Sequence, residues 1–396
     1  MYQTHFRHYI LELAHRHGHL IAIQAIVALA NTLANSFALI YLFVREGASY
    51  LECSIFVLIT VTISLVLIAY ASRTIVKNFS SSIVTSLVCL AVYYVLLMFL
   101  HGVALIVIPP IFFGAYIVTF WVPYNVLIMH ITSRAKRGTV IGSYFLIFPL
   151  VGVATPAAGG IIILLAGYQT LFAVAAILIL VNIVFIMGSR FLREIRQRII
   201  IQELLQSLKI NMIGRQHIDL DFRAVDWRLR CALFAEGIQD GIFWIFIPIV
   251  SFEFAKSEVS TGGYLSLFAV WGAIMTIALG YLSDRLKDRA SIVRIGAAFG
   301  AVSVLVASSA SNTAHYASSM SMAYFWIAMI PSFLFTMLLD KMERLKKKGV
   351  IVREFLLDSG RIVGVLATIV LLLFNIGLNE VMVVAGIALA TIIIVK

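Results

Sequence analysis

The chain has 396 residues, of which 62% are hydrophobic and 12% charged, with a mean hydropathy of +1.01. A soluble domain is about 45–50% apolar and about 25% charged, so a soluble protein is excluded: this much apolar surface could not be kept from water. The formal charge of +11 does not indicate nucleic acid as a partner, because the basic residues stand in short blocks between apolar runs, the distribution that membrane topology dictates.

Residues 1–19 read as a polar N-terminal tail. It holds His5, His8, His15, His17 and His19. On a helix His5, His8, Glu12 and His15 share a face, a metal-ligating arrangement in principle. The simpler reading is a tail that titrates mildly at the membrane surface, and no metal or other cofactor is expected. The first apolar stretch is too long for a cleavable leader and follows this polar tail rather than a short basic region.

Twelve apolar helices are then expected, at about 20–44, 53–70, 83–100, 103–129, 139–165, 168–187, 231–252, 262–282, 291–309, 315–339, 354–374 and 380–395. Twelve spans of about 20 residues use roughly 240, which leaves no room for a large soluble domain. Barrel strands are excluded, because runs such as Leu171 to Met187 are apolar on every side, with Asn182 the one exception. The three cysteines, Cys53, Cys89 and Cys231, lie in or beside apolar stretches without metal or redox spacing.

The longest polar interruption, 188–230, divides the chain into six-helix halves at 20–187 and 231–396. The expected fold is all-α and integral to the membrane, with twelve transmembrane helices in two pseudo-symmetric six-helix bundles. Within the linker, Phe191 to Leu205 reads as a basic amphipathic helix lying on the headgroups. With both termini in the cytoplasm, 27 of the 30 Lys and Arg residues fall on inside segments, Arg353 among them. Only Arg45 and Lys256 fall outside, and Arg361 lies within a helix. This is a strong positive-inside signal, and a plasma-membrane location with cytoplasmic termini is expected.

Two short motifs carry a resemblance. Gly280-Tyr281-Leu282-Ser283-Asp284-Arg285, between helices eight and nine, is similar to the glycine-x-leucine-x-aspartate-arginine loop of the major facilitator superfamily. The corresponding loop between helices two and three is degenerate, with Arg73 near the usual aspartate. Thr155-Pro156-Ala157-Ala158-Gly159-Gly160 on helix five resembles the end of a motif frequent among that superfamily's antiporters. The resemblance extends over nearly the whole chain. It implies two bundles around a cavity that opens alternately to either side. Helices one, four, seven and ten would line the cavity, and helices two, five, eight and eleven would form the bundle interface. It also implies a gate at the cytoplasmic side. There Asp284, followed by Arg285, would approach the start of helix five beside Arg134 or Arg137, and a charge-swapped bridge would join Arg73 to Glu354.

Ionisable residues inside a membrane are functional candidates by default. On helix seven Glu236 and Asp240 are four apart and share a face. On helix eleven Glu354, Asp358 and Arg361 fall within roughly 60° of one another. Four acids and one arginine leave three uncompensated negative charges, so at least one acid is expected to hold a proton part of the time. The plainer alternative is a static ion-pair network joining helices seven and eleven. Asn31 and Asn35 on helix one repeat the spacing of Glu236 and Asp240, giving one neutral and one acidic wall if the halves are repeats. Tyr124 and Asn125, beside Pro123, are the favoured polar candidates on helix four, ahead of Tyr116 and Trp121 there and Tyr324 and Trp326 on helix ten.

Together these features predict a monomeric secondary active transporter that moves a small solute by alternating access, coupled to protons. The alternatives are a lipid or amphipath flippase on the same fold and a non-transporting receptor or scaffold. An intramembrane enzyme lacks support, since no span end carries a nucleophile, His-Glu-x-x-His or nucleotide-binding motif.

Overall fold

An unpaired backbone amide among apolar side chains costs several kcal/mol, which drives so hydrophobic a chain into helices. Every regular element among the described residues is helical. The structure, a computed structural model, describes residues 2–77, 79–131, 137–188, 222, 225–282, 288–341 and 346–396. The side chains of 2–17, 70–80, 129–140, 280–287 and 342–347 fall outside that description, as does the amphipathic segment expected at 191–205.

In chain order the helices are α1 (Tyr2–Ala34, continuing irregularly to Arg45), α2 (Tyr50–Lys77), α3 (Phe79–Phe99), α4 (Gly102–Ile131), α5 (Arg137–Gly152, resuming over 155–166) and α6 (167–188). The second half contains α7 (Trp227–Ala255), α8 (Glu258–Leu282), α9 (Arg289–Ser308), α10 (Thr313–Ile327 and Ile330–Lys341), α11 (Lys346–Leu373) and α12 (Leu378–Thr391). Among the described residues ten stretches are long and apolar enough to cross a membrane. One of them, Ile141–Gly188, has 48 residues, enough for two crossings. It breaks at Gly167, whose φ of 82° and ψ of 171° only glycine adopts readily, and this separates α5 from α6. The last helix belongs to a shorter apolar stretch, Leu378–Ile394.

The largest shifts from the sequence expectation are at two helix starts. The first helix runs back to Tyr2, because hydropathy locates entry into apolar surroundings rather than the first helical turn. Helix α11 starts at Lys346, two turns before the expected 354. Val350, Ile351 and Val352 are buried there, so the lysine-rich segment continues directly into packed helix.

Proline sits near both helix interruptions. Helix α5 pauses between Gly152 and Thr155, just before Pro156, and α10 pauses between Ile327 and Ile330, just before Pro331. Proline has no N–H to donate and its ring crowds the preceding turn. Helix α1 is irregular as well, with a 3₁₀ turn at Asn35–Phe37 and a π turn at Tyr41–Arg45.

Within the first half α2 and α3 pack on α4, and α1 packs on the α5–α6 hairpin. Within the second, α7 packs on α11 and α12, and α9 on α10 and α12. The halves meet where α2 lies against α11 and α5 against α8. The outer surface is apolar, as at Leu164, Leu165, Val184 and Leu373, the inverse of a soluble protein. In the loop after α1, Glu46 accepts hydrogen bonds from Tyr41 and His101. Burial opposes the ionisation of Glu46, but these bonds outweigh it and hold the carboxyl below its usual range.

Candidate functional site

The site begins with four glycines. Gly237 and Gly241 on α7 face Gly360 and Gly364 on α11, each pair spaced four apart. A Cβ on Gly241 would lie 2.5 Å from the carbonyl oxygen of Arg361, and one on Gly360 would strike the carbonyl oxygen of Phe234. Only glycine lets these backbones approach so closely, the small-residue crossing typical of membrane helices. The crossing places the ionisable side chains of α7 and α11 within contact of one another.

Those side chains form two nodes. In one, Arg361 Nε and Nη2 lie 2.7 and 2.6 Å from Asp240 Oδ2, and Nη1 donates to Asp358 Oδ1 at 2.7 Å. The guanidinium sits 4.7 Å from the centre of the Trp244 ring, and Ser64 on α2 donates to the other oxygen of Asp358. In the second node Arg353 Nη1 donates to Glu354 Oε1 at 2.7 Å, and its Nη2 lies 3.9 Å from Glu236 Oε1. Asn125 on α4 donates to the same Glu354 oxygen at 3.3 Å. The Arg353 guanidinium lies 4.9 Å from the Phe335 ring centre, and among the described residues neither Glu236 Oε2 nor Arg353 Nε, both buried, has a hydrogen-bond partner.

Arg353 corrects the sequence reading. There it counted as a loop charge; here it is 7% exposed and central to the second node. The four acids thus face two arginines, and the formal excess is two negative charges rather than three. The early start of α11 is the cause. Hydropathy scanning missed it because Arg353 and Glu354 adjoin a lysine-rich segment. Ser64 was also missed, because a lone serine in an apolar helix usually bonds its own backbone and carries no signal.

The candidates in the first half form a separate, neutral network. Asn31 Nδ2 donates to the Val27 carbonyl at 3.0 Å and to the Tyr116 hydroxyl at 3.2 Å, and Tyr94 donates to its Oδ1 at 3.3 Å. Tyr93 donates to Asn35 Oδ1 at 2.7 Å. The Tyr124 hydroxyl is fully buried, 2.7 Å from Gln24 Oε1 and 3.1 Å from the Leu20 carbonyl. Asn125 alone among these candidates reaches across to the charged nodes.

Both sets line one cavity of about 710 Å³ between the halves. Asn35, Asn125, Glu236, Asp240, Glu354 and Arg361 all border it, and Asp358 lies behind Arg361. Toward the face carrying both chain termini, apolar side chains from both halves pack together in two clusters. One contains Val126, Ile141, Phe335, Leu339 and Val350, and the other Ile68, Val118, Val122 and Ile351. Toward the opposite face, Tyr50 on α2 bonds Glu253 on α7. There the Pro156 to Gly160 motif has a plain packing role. A Cβ on Gly159 would lie 2.5 Å from the Leu33 carbonyl oxygen, and one on Gly160 would lie 2.5 Å from that of Glu258, so the motif thins α5 for both α1 and α8.

Among the expected gate residues, Asp284, Arg285 and Arg134 lie outside the described residues, as do the side chains of Arg73 and Arg137. Glu354 is described: it is 6% exposed and engaged by Arg353 and Asn125. In the tail, His5, His8, His15 and His17 fall outside the described side chains, and no metal-ligating group occurs among the described residues.

Paired helical halves around a central cavity that carries buried charges define a class, that of the multi-pass membrane transporters. The family model described as Major Facilitator Superfamily matches residues 20–365, and the chain belongs to that superfamily. Over 366 residues the chain is 24% identical to the uncharacterized protein YqgE of Bacillus subtilis (strain 168), covering 88% of this chain and 80% of that one. The fold is similar to the crystal structure of FucP, a superfamily transporter in its outward conformation, with a TM-score of 0.63 and 13% identity over 95% of this chain and 96% of that one. It is also similar to the human organic anion transporter MFSD10 (TETRAN), with a TM-score of 0.64 and 12% identity over 96% and 100% of the two chains. At these identities the two structures share the fold alone.

Proposed function

We propose that the protein is a secondary active transporter that moves a small solute by alternating access of the central cavity, coupled to protons through Asp240 with Glu236 as its neighbour. One observation carries the reading. The cavity is bordered by both halves, its charges lie on α7 and α11, and these touch the first half through neutral donors, Ser64 and Asn125. A proton taken up by Asp240 weakens its hold on Arg361, and Arg361 in turn positions Asp358 against Ser64. Proton uptake is thereby linked to the contact between bundles. Asp358 and Arg361 transmit the change, Asn35 and Asn125 present polar groups to the solute, and Asn31 and Tyr124 brace the opposite wall. The excess of basic residues on the segments flanking the terminal face supports cytoplasmic termini in the plasma membrane, and the helical halves form a complete cavity within a monomer.

The test uses the full chain in proteoliposomes loaded with a pH-sensitive dye, challenged with sugars, amino acids, carboxylates and amines. At least one solute is expected to evoke proton flux and uphill accumulation. Asp240→Asn is expected to abolish both while counterflow continues at solute concentrations raised to saturate the variant. Full gradient-driven accumulation by Asp240→Asn would overturn the coupling role, and the absence of counterflow for every solute in the wild type would overturn the transporter.

A further inference from the structure

Among the described residues, two carboxylate oxygens on α7 have no hydrogen-bond partner. Asp240 accepts both bonds from Arg361 on Oδ2, and among the described residues nothing donates to its Oδ1. Its side chain is 32% exposed and borders the cavity. One turn away, Glu236 is 6% exposed, also borders the cavity, and leaves Oε2 unpaired. An acceptor this buried is costly to leave without a hydrogen, so the site as built lacks a donor.

The cations present do not supply it. Arg361 directs Nε and Nη2 at Asp240 and Nη1 at Asp358, and its face lies over Trp244. Arg353 gives Nη1 to Glu354 between the rings of Phe335 and Phe145, and its Nε has no hydrogen-bond partner among the described residues. An anionic ligand would find one open donor, the buried Nε of Arg353, against a formal excess of two negative charges. A cationic ligand meets two open acceptors and the excess of negative charge. The surrounding wall is aromatic, with Trp121, Phe148, Phe243, Trp244 and Tyr324 on four helices. Such rings attract a cation through their faces and an apolar body through burial. A volume of about 710 Å³ is that of a site for a drug-sized molecule.

We infer that Asp240 Oδ1 and Glu236 Oε2 form a binding site for a lipophilic organic ammonium carrying N–H donors and an apolar, ring-sized body. The role of this site as a substrate site rests on the transporter reading; the binding itself does not. A quaternary ammonium has no hydrogen to give either oxygen, so the site discriminates against it.

The experiment titrates the full-length protein in detergent with dansylcadaverine, a fluorescent primary amine. Three relatives of the same body serve as controls: its N-acetyl derivative, its trimethylammonium derivative, and the analogue ending in a carboxylate. The amine is expected to bind at least tenfold more tightly than each. Asp240→Asn and Glu236→Gln are each expected to weaken amine binding at least tenfold while the weak binding of the acetylated probe stays unchanged. Equal binding of the acetylated or trimethylated probe, or tighter binding of the carboxylate, overturns the inference. The wild-type series decides even if a variant misfolds. Counterflow in vesicles separates the two readings. Amine binding without counterflow of any solute supports the site and defeats the transporter, whereas counterflow of another solute with no amine binding defeats the site alone.

Discussion

Helices α1 and α7 carry polar residues at the same spacing, Asn31 and Asn35 against Glu236 and Asp240, and the two halves use them differently. The amides bond tyrosine hydroxyls from α3 and α4, a neutral network that lies within its own bundle. The carboxylates turn instead to arginines on α11, and the resulting nodes reach across to α2 and α4 of the other half. An amide needs only a matching donor and acceptor, which neighbouring aromatic helices can provide. A carboxylate in apolar surroundings needs a counter-charge, and a counter-charge needs close helix approach. The second half therefore has the four-glycine crossing. The first half has a one-sided version, in which Gly159 of α5 meets Leu33 and Phe37 of α1.

The largest effect is expected where the charged half depends on that crossing. Gly360→Val drives side-chain atoms into the Phe234 carbonyl and separates α7 from α11. The cost is expected to be about 3 kcal/mol or more, at the upper end for overpacking. Gly263→Ala on α8, where nothing lies within 4 Å, is expected to be neutral. Size-exclusion profiles and thermal unfolding of both variants measure the difference, and a well-folded Gly360→Val protein would remove the crossing from the comparison.

An intermediate effect separates the two networks directly. Arg361→Leu leaves Asp240 and Asp358 without their shared cation, a loss of about 3–5 kcal/mol for a buried pair broken on one side. Asn31→Leu removes neutral hydrogen bonds and leaves hydroxyls that can turn to other acceptors, a loss of about 1–3 kcal/mol. Melting temperatures in one detergent rank the pair. If Asn31→Leu proves as damaging as Arg361→Leu, the neutral wall is as demanding as the charged one and the contrast fails.

The smallest effect concerns the proposed Arg73–Glu354 gate. Glu354 is buried and already has Arg353 and Asn125 as partners, so a further pairing with Arg73 is expected to add little, about 1 kcal/mol at most. A double-mutant cycle read by cysteine accessibility from either side compares Arg73→Glu and Arg353→Met, each combined with Glu354→Gln. Coupling to Arg73 supports the gate. Coupling to Arg353 alone places Glu354 wholly within the second charged node.

The amino-acid sequence by itself determined that this is a helical membrane protein. Hydropathy over about 20 residues is a local property, and the need to pair every backbone amide in apolar surroundings leaves the helix as the local solution. The superfamily was also legible, from motif residues such as Thr155 to Gly160, as was the concentration of acids on α7 and α11, because a charge in an apolar run stands out against its neighbours. Tertiary structure alone decided which charges meet. Arg353 enters the cluster because α11 starts at Lys346 rather than where hydropathy rises, and Ser64 meets Asp358 through a rotation and register that no single helix encodes. The pairing of Arg361 with Asp240 depends on glycines from two segments 121 residues apart in their paired side chains, and it exists only once both backbones are in contact. Local composition sets which groups are costly to bury, and three-dimensional packing sets which of them compensate one another.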